Sequence, residues 1–238
     1  MLDIIFLSYD ETNAEANWIE LQRRFPHAQR LHGIEGVKNA HRRAAELSRT
    51  DFFFVVDGDN SILPSFNFEV PFEPHQNSLY VWRCLNPVND LVYGYGGVKL
   101  YNKFLLLNLN KPTCIDVATS VATVYVPVFV TASVTNFNSS AYEAWRGAFR
   151  ECVKLTRNTI KNPNDRHSAE RLQAWCSLGK ERIHGTWSLK GANQGRLFAE
   201  IHHANSEKLS LINDFAWLKS HCDSMNNFTS ENLPFTTL

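Results

Sequence analysis

Asp57 and Asp59 flank Gly58 directly behind the apolar run Phe52-Phe53-Phe54-Val55-Val56. Large and β-branched residues in such a run read as a strand buried in a parallel sheet. Gly58 and Asn60 then end the strand in a turn. Carboxylates at the carboxyl edge of an open α/β sheet stand where such sheets bind ligands. They repel each other unless a cation lies between them, and hard divalent ions prefer oxygen ligands. The pattern suits Mn²⁺ or Mg²⁺ held against a diphosphate. Its plainer reading is a solvated turn, because Asp and Gly are common there.

Sugar transfer from a nucleotide donor is the chemistry this pattern would serve. A divalent ion at Asp57 and Asp59 neutralises the leaving diphosphate as a Lewis acid. Ser8, Tyr9 and Asp10, at the end of the first strand, are candidates to hold the nucleoside. Lys38 and Arg42, four apart on a helix, either reach the donor's phosphates or are solvated cations. Inversion at the anomeric carbon needs a carboxylate base near the acceptor hydroxyl. Glu151 is the first candidate and Asp116 the second, although Glu151 equally reads as an exposed helix residue paired with its neighbours. His184 is a candidate third metal ligand. The run Tyr93-Gly94-Tyr95-Gly96-Gly97 reads as a hairpin turn, or as a place where glycine lets a ligand approach and tyrosines stack on it.

The elements that would position these groups follow from periodicity. Ile4 to Leu7 make a short buried strand. Ala14, Trp18, Leu21 and Phe25 recur at helical spacing over residues 11–25. A brief strand at 29–32 precedes a second helix through Val37, Ala40, Ala44 and Leu47, and the strand ending at Asp57 comes third. This β-α-β-α-β order predicts a parallel, nucleotide-binding half. Strands are expected at 78–84, 97–101 and 121–130, and helices at 141–160, 165–177 and 206–221. On the longest helix Arg146, Arg150, Lys154, Arg157 and Lys161 form one basic stripe. It is either a solvated face or a track for a phosphate backbone.

The 238 residues fit one large domain, with 44% hydrophobic and 20% charged residues. We read it as a nucleotide-binding part (1–60), a sheet and acceptor part (61–139), a helical part (140–225) and a loosely packed tail (226–238). Lys plus Arg equals Asp plus Glu at 24 each, so no bulk field draws the chain to nucleic acid or anionic membranes. Cys84, Cys114, Cys152, Cys176 and Cys222 are scattered and lack a C-x-x-C pair, which predicts reduced thiols. Pro127 and the many Ser and Thr residues argue against a membrane span over 117–134. A cytoplasmic protein without membrane attachment is the expectation.

Beyond the residues themselves, strand one with Ser8-Tyr9, residues 36–43 and Asp57-Gly58-Asp59 resemble the GT-A glycosyltransferases. Further stretches are Val81-Trp82-Arg83 with Asn86-Pro87, Tyr93-Gly94-Tyr95-Gly96-Gly97-Val98-Lys99-Leu100, Ala148-Phe149-Arg150-Glu151 and Ile212-Asn213-Asp214-Phe215. With these, the chain is similar to bacteriophage enzymes that attach sugars to hydroxymethylated pyrimidines in DNA, including TET-associated and arabinosyl-transferring members. The resemblance implies an α/β GT-A fold, with a Rossmann-like N-terminal half, a mixed central sheet and a helical C-terminal part. It implies a UDP-sugar donor carrying arabinose or glucose, and 5-hydroxymethylcytosine in double-stranded DNA as acceptor, in a host cytoplasm. Asp57 would then meet the donor's ribose or the metal, and Asp59 the metal. Trp82, Tyr93 and Tyr95 would stack on the modified base, while the basic stripe positions phosphates.

Two other readings compete. One keeps the fold and moves the acceptor to a glycan, lipid or protein; the other is a catalytically silent DNA-binding module. A nucleotidyltransferase also uses paired carboxylates and metal, but needs a third acidic ligand, and none is evident in sequence around Asp57.

Overall fold

A computed structural model describes residues 1–110 and 115–226. Cys114 and the tail beyond Asn226 lie outside the described residues. The first unit comprises β1 (Asp3–Ser8), α1 (Ala14–Arg24), β2 (Gln29–His32), α2 (Val37–Leu47) and β3 (Phe52–Asp57). Every residue of β1 is buried, as is every residue of β3 before Asp57. Alternate side chains of a strand point to opposite faces. Ile4, Phe6, Phe54 and Val56 accordingly join Trp18 and Leu21 of α1 in one core. Ile5, Leu7, Phe53 and Val55 join Ala44 and Ala45 of α2 in another.

α1 and α2 therefore cover opposite faces of the sheet. β1 pairs in parallel with β2 on one side and with β3 on the other. The chain thus winds outward in both directions from β1. At such a switch point, between β1 and β3, the sheet leaves a crevice beyond the strands' carboxyl ends. The position of that crevice is a consequence of topology.

Beyond β3 the sheet is mixed. Next come β4 (Asn60–Ile62), β5 (Ser78–Leu85), β6 (Val92–Tyr93) and β7 (Val98–Asn102). Two short helices, α3 (Lys103–Leu107) and α4 (Val117–Val121), precede the long β8 (Val124–Thr135). The strand order is β2-β1-β3-β7-β5-β8-β4, with β6 on β5. β7 is antiparallel to both β3 and β5, and β8 is parallel to β5. β8 therefore runs in the direction of β3 and brings Thr135 to the edge where Asp57 ends.

The helical part contains α5 (Ala141–Lys161), α6 (Arg166–Ser177), α7 (Gly185–His202), α8 (Ser206–Ser210), a 3-10 turn (Leu211–Asn213) and α9 (Phe215–Asn226). Ser140 caps α5 by accepting a hydrogen bond from the Glu143 amide. Sequence periodicity does not anticipate α7, and a single helix over 206–221 is not what forms. The chain makes α8 and a 3-10 turn, then restarts after Asp214, whose side chain accepts from the Trp217 amide. α7 packs on α5 so closely that a Cβ at Gly191 or Gly195 would lie 2.2 Å from Trp145 O or 2.4 Å from Phe149 O. Among the described residues, no helix is long and apolar enough to cross a membrane, and Cys84, Cys152, Cys176 and Cys222 are free thiols.

Candidate active site

The crevice between β1 and β3 holds about 510 Å³, within the range of small-molecule sites. Leu7, Ser8 and Tyr9 enter it from β1, and Asp57, Gly58 and Asp59 from β3. Glu143, Arg146, Gly147 and Arg150 form the wall contributed by α5. Their i, i+3, i+4, i+7 spacing places them on one helical face. Asn213 to Ala216 close the far side. One half of the cleft is mostly apolar, lined by Leu31, Ile34, Val37 and Ala40 together with Glu35, and the other carries charge on Glu11, Asp57, Asp59, Arg146 and Arg150.

Three of the cleft carboxylates, Asp57, Asp59 and Glu11, differ in environment. Asp57 Oδ2 accepts a 2.8 Å hydrogen bond from the Lys99 ammonium, which is buried on β7 beside Val55. Burial alone would raise the Asp57 carboxyl, but the charge and hydrogen bond of Lys99 outweigh it and hold it below the ordinary value. Among the described residues no cation forms an ion pair with Asp59, although Arg146 and Lys99 act on it from farther off. Burial, then the negative charges of Asp57 and Glu11, push it up to about 7. Glu11 is also raised, chiefly by burial, while its Oε2 accepts from the Tyr9 amide at 2.8 Å. Gly58 makes this crowding possible: a Cβ there would stand 2.7 Å from Glu11 Oε2 and 3.0 Å from Leu7 O.

Two arginines complete the charged half. Arg146 is buried, and its Nη1 donates to both oxygens of Asp10 at 3.0 Å. Arg150 donates from Nε to Ile212 O at 2.8 Å and from Nη2 to Asn213 Oδ1 at 3.2 Å. Among the described residues, no carboxylate forms an ion pair with Arg150. Burial and the neighbouring Arg146 both lower its pKa. Phe215 packs under both guanidinium groups, at 4.7 and 5.3 Å from its ring centroid. A half-buried cation whose hydrogen bonds go to neutral acceptors favours an anionic ligand.

The donor set also suits a hard divalent ion. Mg²⁺ and similar ions use one or two protein carboxylates and fill their other positions with water and phosphate oxygens. Asp57 and Asp59 offer oxygen alone, and the repulsion that raises Asp59 is what a cation would relieve. Among the described residues, no three His, Cys, Asp or Glu side chains gather into an all-protein metal site. His184 does not line the cleft; it sits at the N-terminal end of α7 with φ 53°.

Several sequence expectations are corrected by this geometry. Ser8 and Tyr9 line the cleft, but the Asp10 carboxylate is committed to Arg146. Lys38 and Arg42 lie off the cleft-lining face of α2, which presents Val37, Ala40 and His41; Arg42 pairs with Glu46 at 3.4 Å. Glu151 is buried away from the cleft, accepting from the Tyr93 hydroxyl at 2.8 Å and pairing with Lys154 at 2.8 Å. Asp116 caps α4 through the Ala118 amide. Neither is placed to serve a reaction in the cleft.

The aromatic expectations change in the same way. Trp82 is buried against Phe54 and Phe66. Tyr93 is buried, accepts from Trp175 Nε1 at 2.8 Å and packs on Tyr95. None of the three lines the cleft. The glycines of this run permit close packing: a Cβ at Gly94 would meet Val81 at 2.8 Å, and Gly97, at φ 76°, abuts Asn60 and Ser133. The basic stripe of α5 is real but turned inward. Arg146 and Arg150 face the cleft and Lys154 pairs with Glu151, which leaves Arg157 half-buried and Lys161 exposed.

No family model matches the chain, and no curated protein matches it. Among solved structures, it is similar to HddC from Yersinia pseudotuberculosis, at 12% identity over 56% of this chain and 92% of that one, with a TM-score of 0.35. A likeness of that degree carries no functional argument. The cleft must be read from its own chemistry.

Proposed function

We propose that this protein is a GT-A-type glycosyltransferase that binds a UDP-sugar in the cleft between β1 and β3. The observation that carries the reading is the meeting of Asp57 and Asp59 with Arg150, a cation that forms no ion pair with a carboxylate among the described residues, at the switch point of the sheet. Switch-point crevices are the usual ligand sites of such sheets. The apolar half suits a nucleoside and the charged half a diphosphate. Asp57 and Asp59 would hold Mn²⁺ or Mg²⁺, which supplies Lewis-acid stabilisation of the leaving diphosphate when bound. Arg150 would share that charge. Glu11, a cleft carboxylate with a raised pKa, replaces Glu151 as the candidate base for an acceptor hydroxyl.

The acceptor is the hydroxymethyl group of 5-hydroxymethylcytosine in phage DNA. This part of the proposal rests on the sequence resemblance, since the inward turn of the α5 cations removes the phosphate track that would have supported it. A glycan, lipid or protein acceptor is the alternative within the same fold.

The test incubates the protein with Mn²⁺, a panel of UDP-sugars and matched duplexes containing cytosine or 5-hydroxymethylcytosine, followed by nucleoside mass analysis. A pentose or hexose added only to the hydroxymethylated duplex, and lost with EDTA, supports the proposal. UDP release without DNA modification moves the acceptor elsewhere. No turnover of any donor favours the silent binding module. Glu11 brings a third carboxylate beside Gly58, although among the described residues it does not join Asp57 and Asp59 in a three-ligand metal site, and nucleotidyl transfer is the second reading it leaves. Pyrophosphate release from a nucleoside triphosphate and a sugar phosphate would reveal that activity.

A further inference from the structure

We infer that the Asp10 carboxylate is an internal stand-in for a ligand phosphate on Arg146, and that an anionic ligand fills the cleft by displacing it. The inference rests on the cleft being an anion site, as proposed above, and goes further in saying how its charge is held before binding.

Arg146 is the fixed member of the pair. Its side chain is 9% exposed against 47% for Asp10. The guanidinium lies over Phe215 at 4.7 Å and Tyr142 at 5.4 Å, so its direction is set by packing on α5 and α9. Asp10 belongs to the connection between β1 and α1, and its carboxylate accepts two hydrogen bonds from Arg146 Nη1. A carboxylate and a phosphate present similar pairs of oxygens to a guanidinium. Arg146 lines the cleft and Asp10 is not among its lining residues, so a phosphate entering the cleft competes with Asp10 for the guanidinium.

Charge favours exchange over addition. Glu11, Asp57 and Asp59 already crowd the same cleft. A phosphate arriving while Asp10 stayed would add to that repulsion; a phosphate replacing Asp10 on Arg146 adds less. The connection need not come loose when this happens. Thr12, two residues on, keeps its own hold on α5, donating from its amide at 3.0 Å and its hydroxyl at 3.1 Å to Glu143. Release of Asp10 is therefore a local side-chain event. Arg150, one turn along α5, stands ready for the same anion.

The test titrates inorganic pyrophosphate calorimetrically into the wild type, Asp10→Asn and Arg146→Lys at fixed ionic strength. Removing the competing charge is expected to tighten binding about tenfold in Asp10→Asn, and losing the guanidinium to weaken it at least tenfold in Arg146→Lys. Because Asp10→Asn could disturb folding, the Asp10 carboxyl carbon is also followed by NMR in the labelled wild-type protein, where saturating pyrophosphate should shift it toward a solvated carboxylate. Wild-type binding with no gain in Asp10→Asn and no movement of that signal overturns the inference and leaves the anion site standing. No pyrophosphate binding by any of the proteins overturns both.

Discussion

Lys99 and Asp57 meet inside the sheet, Nζ to Oδ2 at 2.8 Å, on neighbouring antiparallel strands. The pair fixes the first carboxylate of the cleft. Lys99→Met would leave Asp57 without its cation, and breaking such a pair costs several kcal/mol when both groups are fully buried. Asp57 is 33% exposed, so we expect about 1–3 kcal/mol at neutral pH after discounting for solvent. The folded pKa of Asp57 is depressed, so its contribution is present above the unfolded value of 3.8 and is lost as pH falls through the folded one. Urea denaturation should therefore separate wild type from Lys99→Met at pH 7, with the gap closing progressively as pH falls below 3.8. A constant gap across this range contradicts the assignment.

Asp59 behaves in the opposite sense. Its folded pKa is raised to about 7 from 3.8. The stability lent by its proton is full below the unfolded value and is lost as pH rises toward 7. Asp59→Asn, which cannot ionise, should therefore stabilise the metal-free protein above neutral pH, by on the order of 1–4 kcal/mol. It should also abolish turnover, the usual exchange of stability for function at an active site. Denaturation midpoints in EDTA at pH 5 and 8 check the sign: the gain must be larger at pH 8.

Trp82→Ala distinguishes a core tryptophan from a ligand platform. Trp82 is 2% exposed among Phe54 and Phe66. Its truncation should cost about 3–5 kcal/mol, whereas Trp82→Phe should leave donor turnover close to wild type. Selective loss of acceptor affinity in a stably folded Trp82→Phe would return the residue to the site.

The first unit was legible because its signals are local. Continuous apolar runs marked β1 and β3, helical spacing marked α1 and α2, and the carboxylates behind β3 do line the cleft. Orientation was less legible. The stripe of α5 cations is periodic whichever way it faces, and its inward turn depends on Asp10 and the Phe215 ring, 136 and 69 positions away from Arg146. Glu11 read as the start of a helix. Its place follows from the parallel pairing of β1 with β3, which brings the residues after Ser8 beside Gly58. α7 was hidden because Gly185, Gly191 and Gly195 look like breakers, when they are what lets the helix approach its neighbours.

That last point gives its own test. At Gly191 and Gly195 the nearest atoms to an added Cβ are backbone, which cannot rotate away. Gly191→Ala or Gly195→Ala should cost about 1–3 kcal/mol or more through overpacking. Gly33, at φ 72° with nothing within 4 Å of an added Cβ, is the control. Gly33→Ala should cost only about 1–2 kcal/mol, from its backbone conformation. Thermal denaturation of the three variants ranks them.

The most direct measurement is calorimetric titration of UDP, with and without Mn²⁺, into wild type, Arg150→Met and Asp59→Asn. The account predicts one UDP per chain, bound more tightly with Mn²⁺. Arg150→Met should weaken UDP about tenfold or more with or without Mn²⁺, and Asp59→Asn should remove the metal's effect. UDP that fails to bind the folded wild type, or binds with an affinity unchanged in both variants, would contradict it.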